Sequence, residues 1–199
     1  MIRLLFALLV CLPSFAADAY RLASPTDLGS CFPVNLEKYG FKGKRYLLTA
    51  GHCALANPMK VEVKDKWLDA KLVKINIDLD IAIIQVEEDL PDQLQLSDEE
   101  PGVGEELTFT GSPMGAKIET RPGNLKEIAW NNRKFNAGFT HIEHGMSGGP
   151  VQYKGKVVGL IDAMPSSVRK VLFWYFYEED DKTCLYLTLS QIKGWLRSK

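Results

Sequence analysis

Ser147 stands in the stretch EHGMSGGP (143–150), with one glycine two residues before it and two directly after it. Glycine is used where φ is unusual or where another group comes close to the backbone. A serine framed in this way is either part of a tight turn or an exposed nucleophile with backbone N–H groups gathered around it. A serine hydroxyl is a poor nucleophile at neutral pH and needs a base within hydrogen-bond reach. A neutral imidazole suits that task, because its pKa lies near 6.5. The chain has three histidines. His52 ends the apolar stretch LLTAGHC, and His141 and His144 flank Glu143 just before the serine. Two carboxylates, Asp78 and Asp80, open the apolar run of DLDIAIIQV, and strand alternation would put both on one face. His141, Glu143 and His144 could also suggest a metal site, but HExxH is absent and nothing else supports zinc.

These residues need a frame, and the chain reads as strands. Segments 45–50, 60–65, 69–77, 80–87, 106–112, 124–130, 139–143, 150–162, 169–178 and 184–189 are rich in Val, Ile, Leu and Thr, often alternating. Turn signals separate or interrupt them: Gly40, Asn57-Pro58, Pro101-Gly102, Pro113, Pro122-Gly123 and Lys154-Gly155. Many short strands at this spacing predict an all-β sandwich or barrel. The acidic segment 87–106 has few β-branched residues and divides the chain near its middle. A second acidic run, Glu178 to Asp181, lacks any calcium-ligand spacing and reads as a solvated hairpin tip. At the end Ser190 offers an N-cap, and Ile192, Trp195 and Leu196 fall at helical spacing. A short C-terminal helix is expected over 191–197.

Composition excludes some classes. The 199 residues are 46% hydrophobic and 25% charged, with 24 basic against 25 acidic side chains and a net charge of -1. That balance gives no electrostatic case for nucleic acid or an anionic membrane as partner. The first 16 residues, MIRLLFALLVCLPSFA, carry one early cation, an apolar run and small residues before a cleavage point. They read as a secretory signal peptide, cut after Ala16 or, second, after Ala19. The run is too short for a membrane span, which needs about 20 residues. The expected mature chain, 17–199, would be soluble and exported, with three cysteines left: Cys31, Cys53 and Cys184.

TAGHC, DIAI and GMSGGP resemble, in order and separation, the three sequence blocks of the trypsin/chymotrypsin-like serine proteases, particularly the bacterial secreted branch with HtrA-type catalytic domains. TGSPMG (110–115) is similar to a Gly-x-Pro-x-Gly turn of many bacterial members. The resemblance plausibly spans 28–197. It implies two six-stranded antiparallel β-barrels with a C-terminal helix: one barrel over about 28–90, a linker over about 91–105, and a second barrel over about 106–190. It implies a serine endopeptidase acting on protein or peptide substrates without a cofactor. His52 would be the base, Asp80 its orienting carboxylate and Ser147 the nucleophile, with Asp80 preferred to Asp78 on the DIAI match. Gly145 and Ser147 would supply the oxyanion-hole N–H groups. His141 would lie at the base of the substrate pocket, and Asp162, Ala163 and Met164 would form its edge. The resemblance also implies a Cys31–Cys53 disulfide and leaves Cys184 as a buried thiol.

The chain departs from the family's digestive members at several positions. Position 146 is Met, where the digestive members carry an Asp that pairs with a newly cut N-terminus, and no Ile-Val-Gly-Gly-type start is present. Activation by N-terminal insertion is not expected. No Asp lies at the pocket base, so cleavage after Lys or Arg is not expected either. Met164 would narrow the pocket towards small side chains, and His141 could instead favour acidic ones. The other classes in play are a catalytically silent binding protein of the same fold and a serine esterase.

Overall fold

A computed structural model describes residues 19–130, 133–164, 166–171 and 174–198. The first barrel runs from β1 (Tyr20–Ala23) and β2 (Leu28–Pro33) through β3 (Tyr46–Ala50), β4 (Met59–Val63) and β5 (Lys66–Asn76) to β6 (Ile81–Val86). Its strand order is β1-β2-β3-β6-β5-β4, and β1 pairs antiparallel with β4 to close it. The second barrel comprises β7 (Glu106–Gly111), β8 (Glu119–Trp130), β9 (Arg133–Phe139), β10 (Pro150–Tyr153), β11 (Lys156–Ala163) and β14 (Thr183–Thr188). Its order is β10-β11-β14-β9-β8-β7, closed by β10 on β7. β12 (Ser166–Val171) and β13 (Trp174–Glu179) form a separate hairpin, and α1 (Leu189–Arg197) ends the chain. Two closed six-stranded barrels and one short helix are the architecture the resemblance implied.

The strands differ in composition because they differ in burial. β3 and β6 lie side by side, with Ala50 opposite Ile81 and Leu48 opposite Ile83. Both are almost continuously buried, which explains their near-unbroken apolar runs. β5 forms the outer side and is mostly exposed, which explains its alternation with lysines. The pairing of β3 with β6 brings two chain ends together: His52 just past β3 and Asp80 just before β6.

Three expectations are corrected. The segment 139–143 is not a strand beyond Phe139; the strand lies earlier, as β9. Pro122-Gly123 is no turn but sits inside β8, where Pro122 faces Thr108 and Gly123 faces Leu107. α1 begins two residues early, because Thr188 caps it: Gln191 N–H donates to the Thr188 hydroxyl, and Thr188 N–H to the Gln191 side chain. Leu189, Ile192, Trp195 and Leu196 are buried in the same cluster as the first barrel's core. Lys74 of β5 reaches the far end of the helix and donates to the carbonyls of Trp195 (3.1 Å) and Ser198 (2.7 Å). A cation there suits the helix dipole. Among the described residues no helix is long and apolar enough to cross a membrane.

Candidate active site

His52 opens a single 3-10 turn, His52–Ala54, directly after β3. Asp80 closes the turn between β5 and β6, with φ of 52°, a left-handed conformation that Asp tolerates better than most residues. Asp80 accepts two hydrogen bonds from His52: the backbone N–H at 2.7 Å and ring Nδ1 at 2.5 Å. Gly51 makes room for this. A Cβ there would lie 2.9 Å from the Asp80 carboxylate. Asp78, its rival in the sequence, is exposed in the same turn, so strand alternation did not apply to the pair.

The His52–Asp80 hydrogen bond is the main cause that raises the imidazole above its ordinary pKa; Cys53 adds to it and burial opposes it. Burial pushes the Asp80 carboxyl up, but hydrogen bonds from His52 and Asp162 outweigh it and hold the group below its usual value.

Ser147 sits in the loop before β10. Its hydroxyl donates to the Asp162 carbonyl at 3.1 Å, and no hydrogen bond to His52 is formed among the described residues. The peptides beside it are fixed through their carbonyls. The His144 carbonyl accepts from Met114 N–H (2.6 Å), and the Met146 carbonyl from Gly149 N–H (3.1 Å). In a trans peptide N–H points opposite to C=O, so the Gly145 and Ser147 N–H groups are turned the other way. Among the described residues neither donates to a protein acceptor. Two such N–H groups beside a serine can stabilise a developing oxyanion. Gly145 has φ of 89°, and a Cβ on it would lie 2.4 Å from the Ser112 carbonyl. Gly149 serves close approach: its Cβ would fall 1.9 Å from the Thr110 carbonyl.

His52, Gly145, Ser147, Asp162, Ala163 and Met164 line one cavity of about 320 Å³. The structure therefore brings together all but one of the expected site residues. The exception is His141. It is exposed, with Nδ1 3.2 Å from Asp181 and Nε2 3.4 Å from Glu143, and it does not line the cavity. The cavity wall that sequence reasoning missed includes Asp27, Leu28, Ile142, Glu143 and His144. Glu143 and His144 lie within the segment that carries the serine and Ile142 directly before it, so the three could have been found from it; Asp27 and Leu28 carry no signal. Glu143 is paired with Arg121 at 2.9 Å, and that contact holds its carboxyl below the usual range.

The expected Cys31–Cys53 disulfide is not formed: among the described residues Cys31, Cys53 and Cys184 are all free thiols. The two side chains are committed elsewhere. Cys31 Sγ points at the Tyr20 carbonyl and Cys53 Sγ at the Ser147 carbonyl, each at 3.8 Å. Burial pushes the Cys31 and Cys184 thiols well above their ordinary pKa, so neither is a ready nucleophile. Met146 is fully buried in the second barrel's core, an apolar contact in place of an ion pair. Two groups of side chains hold metal-ligating atoms within 4.8 Å of one another, His52 with Asp80 and Asp162, and His52 with Asp27 and Cys53. Both depend on His52, whose Nδ1 is already taken by Asp80.

Residues 29–160 match the sequence model of the trypsin-like peptidase domain. No curated protein matches the sequence. Among solved structures the fold is similar to the Rv3671c protease of M. tuberculosis. The inactive form has a TM-score of 0.72 at 20% identity, over 91% of this chain and 88% of that one. The active form has the same TM-score and identity, over 91% of this chain and 80% of that one.

Proposed function

We infer that this chain, which belongs to the trypsin-like peptidase family, is a serine endopeptidase exported by its first 16 residues. The observation that carries the reading is the 2.5 Å contact of His52 Nδ1 with Asp80, behind the cavity that His52 lines together with Ser147 and two unengaged N–H groups. The Ser147 hydroxyl turns about χ1 from the Asp162 carbonyl towards His52 when substrate enters. His52 takes its proton as Oγ attacks the scissile carbonyl. The resulting oxyanion is held by Gly145 and Ser147 N–H. His52 then gives the proton to the leaving amine, and water repeats the sequence on the acyl-enzyme. Asp80 keeps the imidazole in the right tautomer and stabilises its charged form.

The specificity pocket is lined by Ile142 and Met164, with Glu143 tied to Arg121. This favours small apolar side chains before the cut. The alternative of acidic side chains relied on His141, which lies outside the cavity. Lys and Arg are disfavoured because Glu143, the carboxylate next to Ile142, already has a cationic partner in Arg121.

A fluorophosphonate probe and a peptide library, applied to the native chain and to Ser147→Ala, test the reading. Labelling and cleavage are expected for the native chain, with a loss on the order of 10⁶ in kcat for the variant. Absent labelling would favour a silent binding protein, and labelling with turnover of esters alone would favour an esterase. Dominant cleavage after Lys or Arg would overturn the pocket assignment.

A further inference from the structure

The proposed mechanism uses the carbonyl of Asp162 but not its side chain. That side chain is half-buried near the end of β11, with a carboxyl oxygen within 4.8 Å of both the Asp80 carboxylate and the His52 ring nitrogen. Two half-buried carboxyl groups this close do not both stay ionised cheaply, and one of them is driven to keep its proton. Ionised carboxylates only accept, so that proton is also what a hydrogen bond between the two groups requires. Asp80 already accepts the His52 backbone N–H at 2.7 Å and Nδ1 at 2.5 Å, and is the partner stabilised as an anion. The proton therefore resides on Asp162.

We propose that Asp162 is a positioning residue that donates its carboxyl O–H to Asp80 and so fixes the carboxylate that orients His52. The groups facing it are Asp80 from the β5–β6 turn, His52 from the turn after β3 and the buried Cys184 thiol of β14. Ser147 binds its main-chain carbonyl. Burial, then the hydrogen bond with Asp80 and that group's charge, push the Asp162 carboxyl up to about 7. When it loses its proton to solvent, Asp80 loses a donor and a second negative charge appears beside the imidazole. His52 then holds its own proton more tightly, which works against its role as base. One acid thus couples the geometry of the dyad to pH in the neutral range.

This deepens the proteolytic reading and rests on it, but the decisive readout does not need turnover. It is the downfield proton resonance of His52 Nδ1, followed by NMR against pH in the native chain, Asp162→Asn and Asp162→Ser. The native resonance should show a step near pH 7, separate from the titration of His52 itself. Asn and Ser still offer a donor but cannot ionise, so the step should vanish in each while the resonance remains. In kinetics Asp162→Ala should lower kcat by about a hundredfold at little change in KM, the cost of a catalytic group misplaced by about 1 Å. Asp162→Asn should retain most of the kcat and lose one ionisation from its pH profile. A native resonance without the step, or the same step in Asp162→Asn or Asp162→Ser, overturns the proposal. A chain that shows the step but cleaves no peptide would sink the protease reading and leave the proton on Asp162.

Discussion

The division of labour between two neighbouring aspartates shows how much a single backbone conformation decides. Asp78 and Asp80 are equivalent by alternation, yet one is exposed and the other accepts two hydrogen bonds from His52. The motif DIAI pointed to the aspartate that contacts His52, and periodicity could not, because the pair lies in a turn where period two has no meaning. Asp80→Asn should leave the turn intact but reverse the hydrogen-bonding preference at Nδ1, and kcat should fall by about 10⁴. Asp78→Asn should change kcat by less than about twofold, as expected of an exposed position. Equal losses in the two variants would mean that the dyad is misassigned. The contact also sets a pH dependence. His52 must be neutral to act as base, and its hydrogen bond to Asp80 raises its pKa above 6.5. Activity should therefore be low where His52 is charged, and kcat/KM should climb with pH through a limb lying above 6.5. A limb at or below that value would show that the imidazole gains nothing from Asp80.

At the scale of elements, strands with one dominant pattern were legible and strands shaped by their neighbours were not. β3 and β6 are apolar because both are buried, and their sequences announce it. β9 was missed, since RKFNAGF mixes charge with small residues and shows no clean alternation; its place is set by pairing with β8 and β14. Pro122-Gly123 looked like a break, yet Gly123 is needed where the Phe139 carbonyl and the Thr140 side chain press against the strand: a Cβ would meet each at 2.8 Å. The disulfide expectation failed for a related reason, because family spacing says nothing about where each Sγ points. The C-terminal helix was legible by spacing, but its cap was not, since Thr188 also ends β14. The two features of that helix should separate in strength. Thr188→Ala removes the reciprocal cap and should cost about 1 kcal/mol. Trp195→Ala empties a buried site beneath the first barrel and should cost about 3–5 kcal/mol. Urea unfolding of both variants checks the order, and similar losses would show that the helix is held by its cap rather than by its packing.

At the scale of the whole molecule, the candidate site exists only where the barrels meet. His52 and Asp80 come from the first barrel, while Ser147 and the N–H groups of Gly145 and Ser147 come from the second. Ser30 of β2 ties these halves together. Its hydroxyl donates to the Gly145 carbonyl and accepts from Ser112 N–H, each at 2.8 Å. Its own N–H donates to the Ser147 carbonyl at 2.8 Å, and its carbonyl accepts from the Thr49 hydroxyl at 2.7 Å. One fully buried residue of the first barrel thus holds the main chain on both sides of Met146. Digestive relatives brace this loop with an ion pair to a new N-terminus; here an apolar Met146 and a serine from the facing barrel occupy the corresponding region. Ser30→Ala would leave a buried carbonyl and a buried N–H without partners, at a cost of about 1–3 kcal/mol for each. The backbone bonds of residue 30 would survive, so the barrels should stay docked. The Gly145–Met146 peptide would be freed, and with it the aim of the Gly145 N–H at the oxyanion. The expected result is a folded protein with lowered urea stability, a kcat reduced by about 10²–10³ as for loss of one oxyanion donor, and a KM close to native. Lower stability with an unchanged kcat would show that the loop holds its shape without the first barrel.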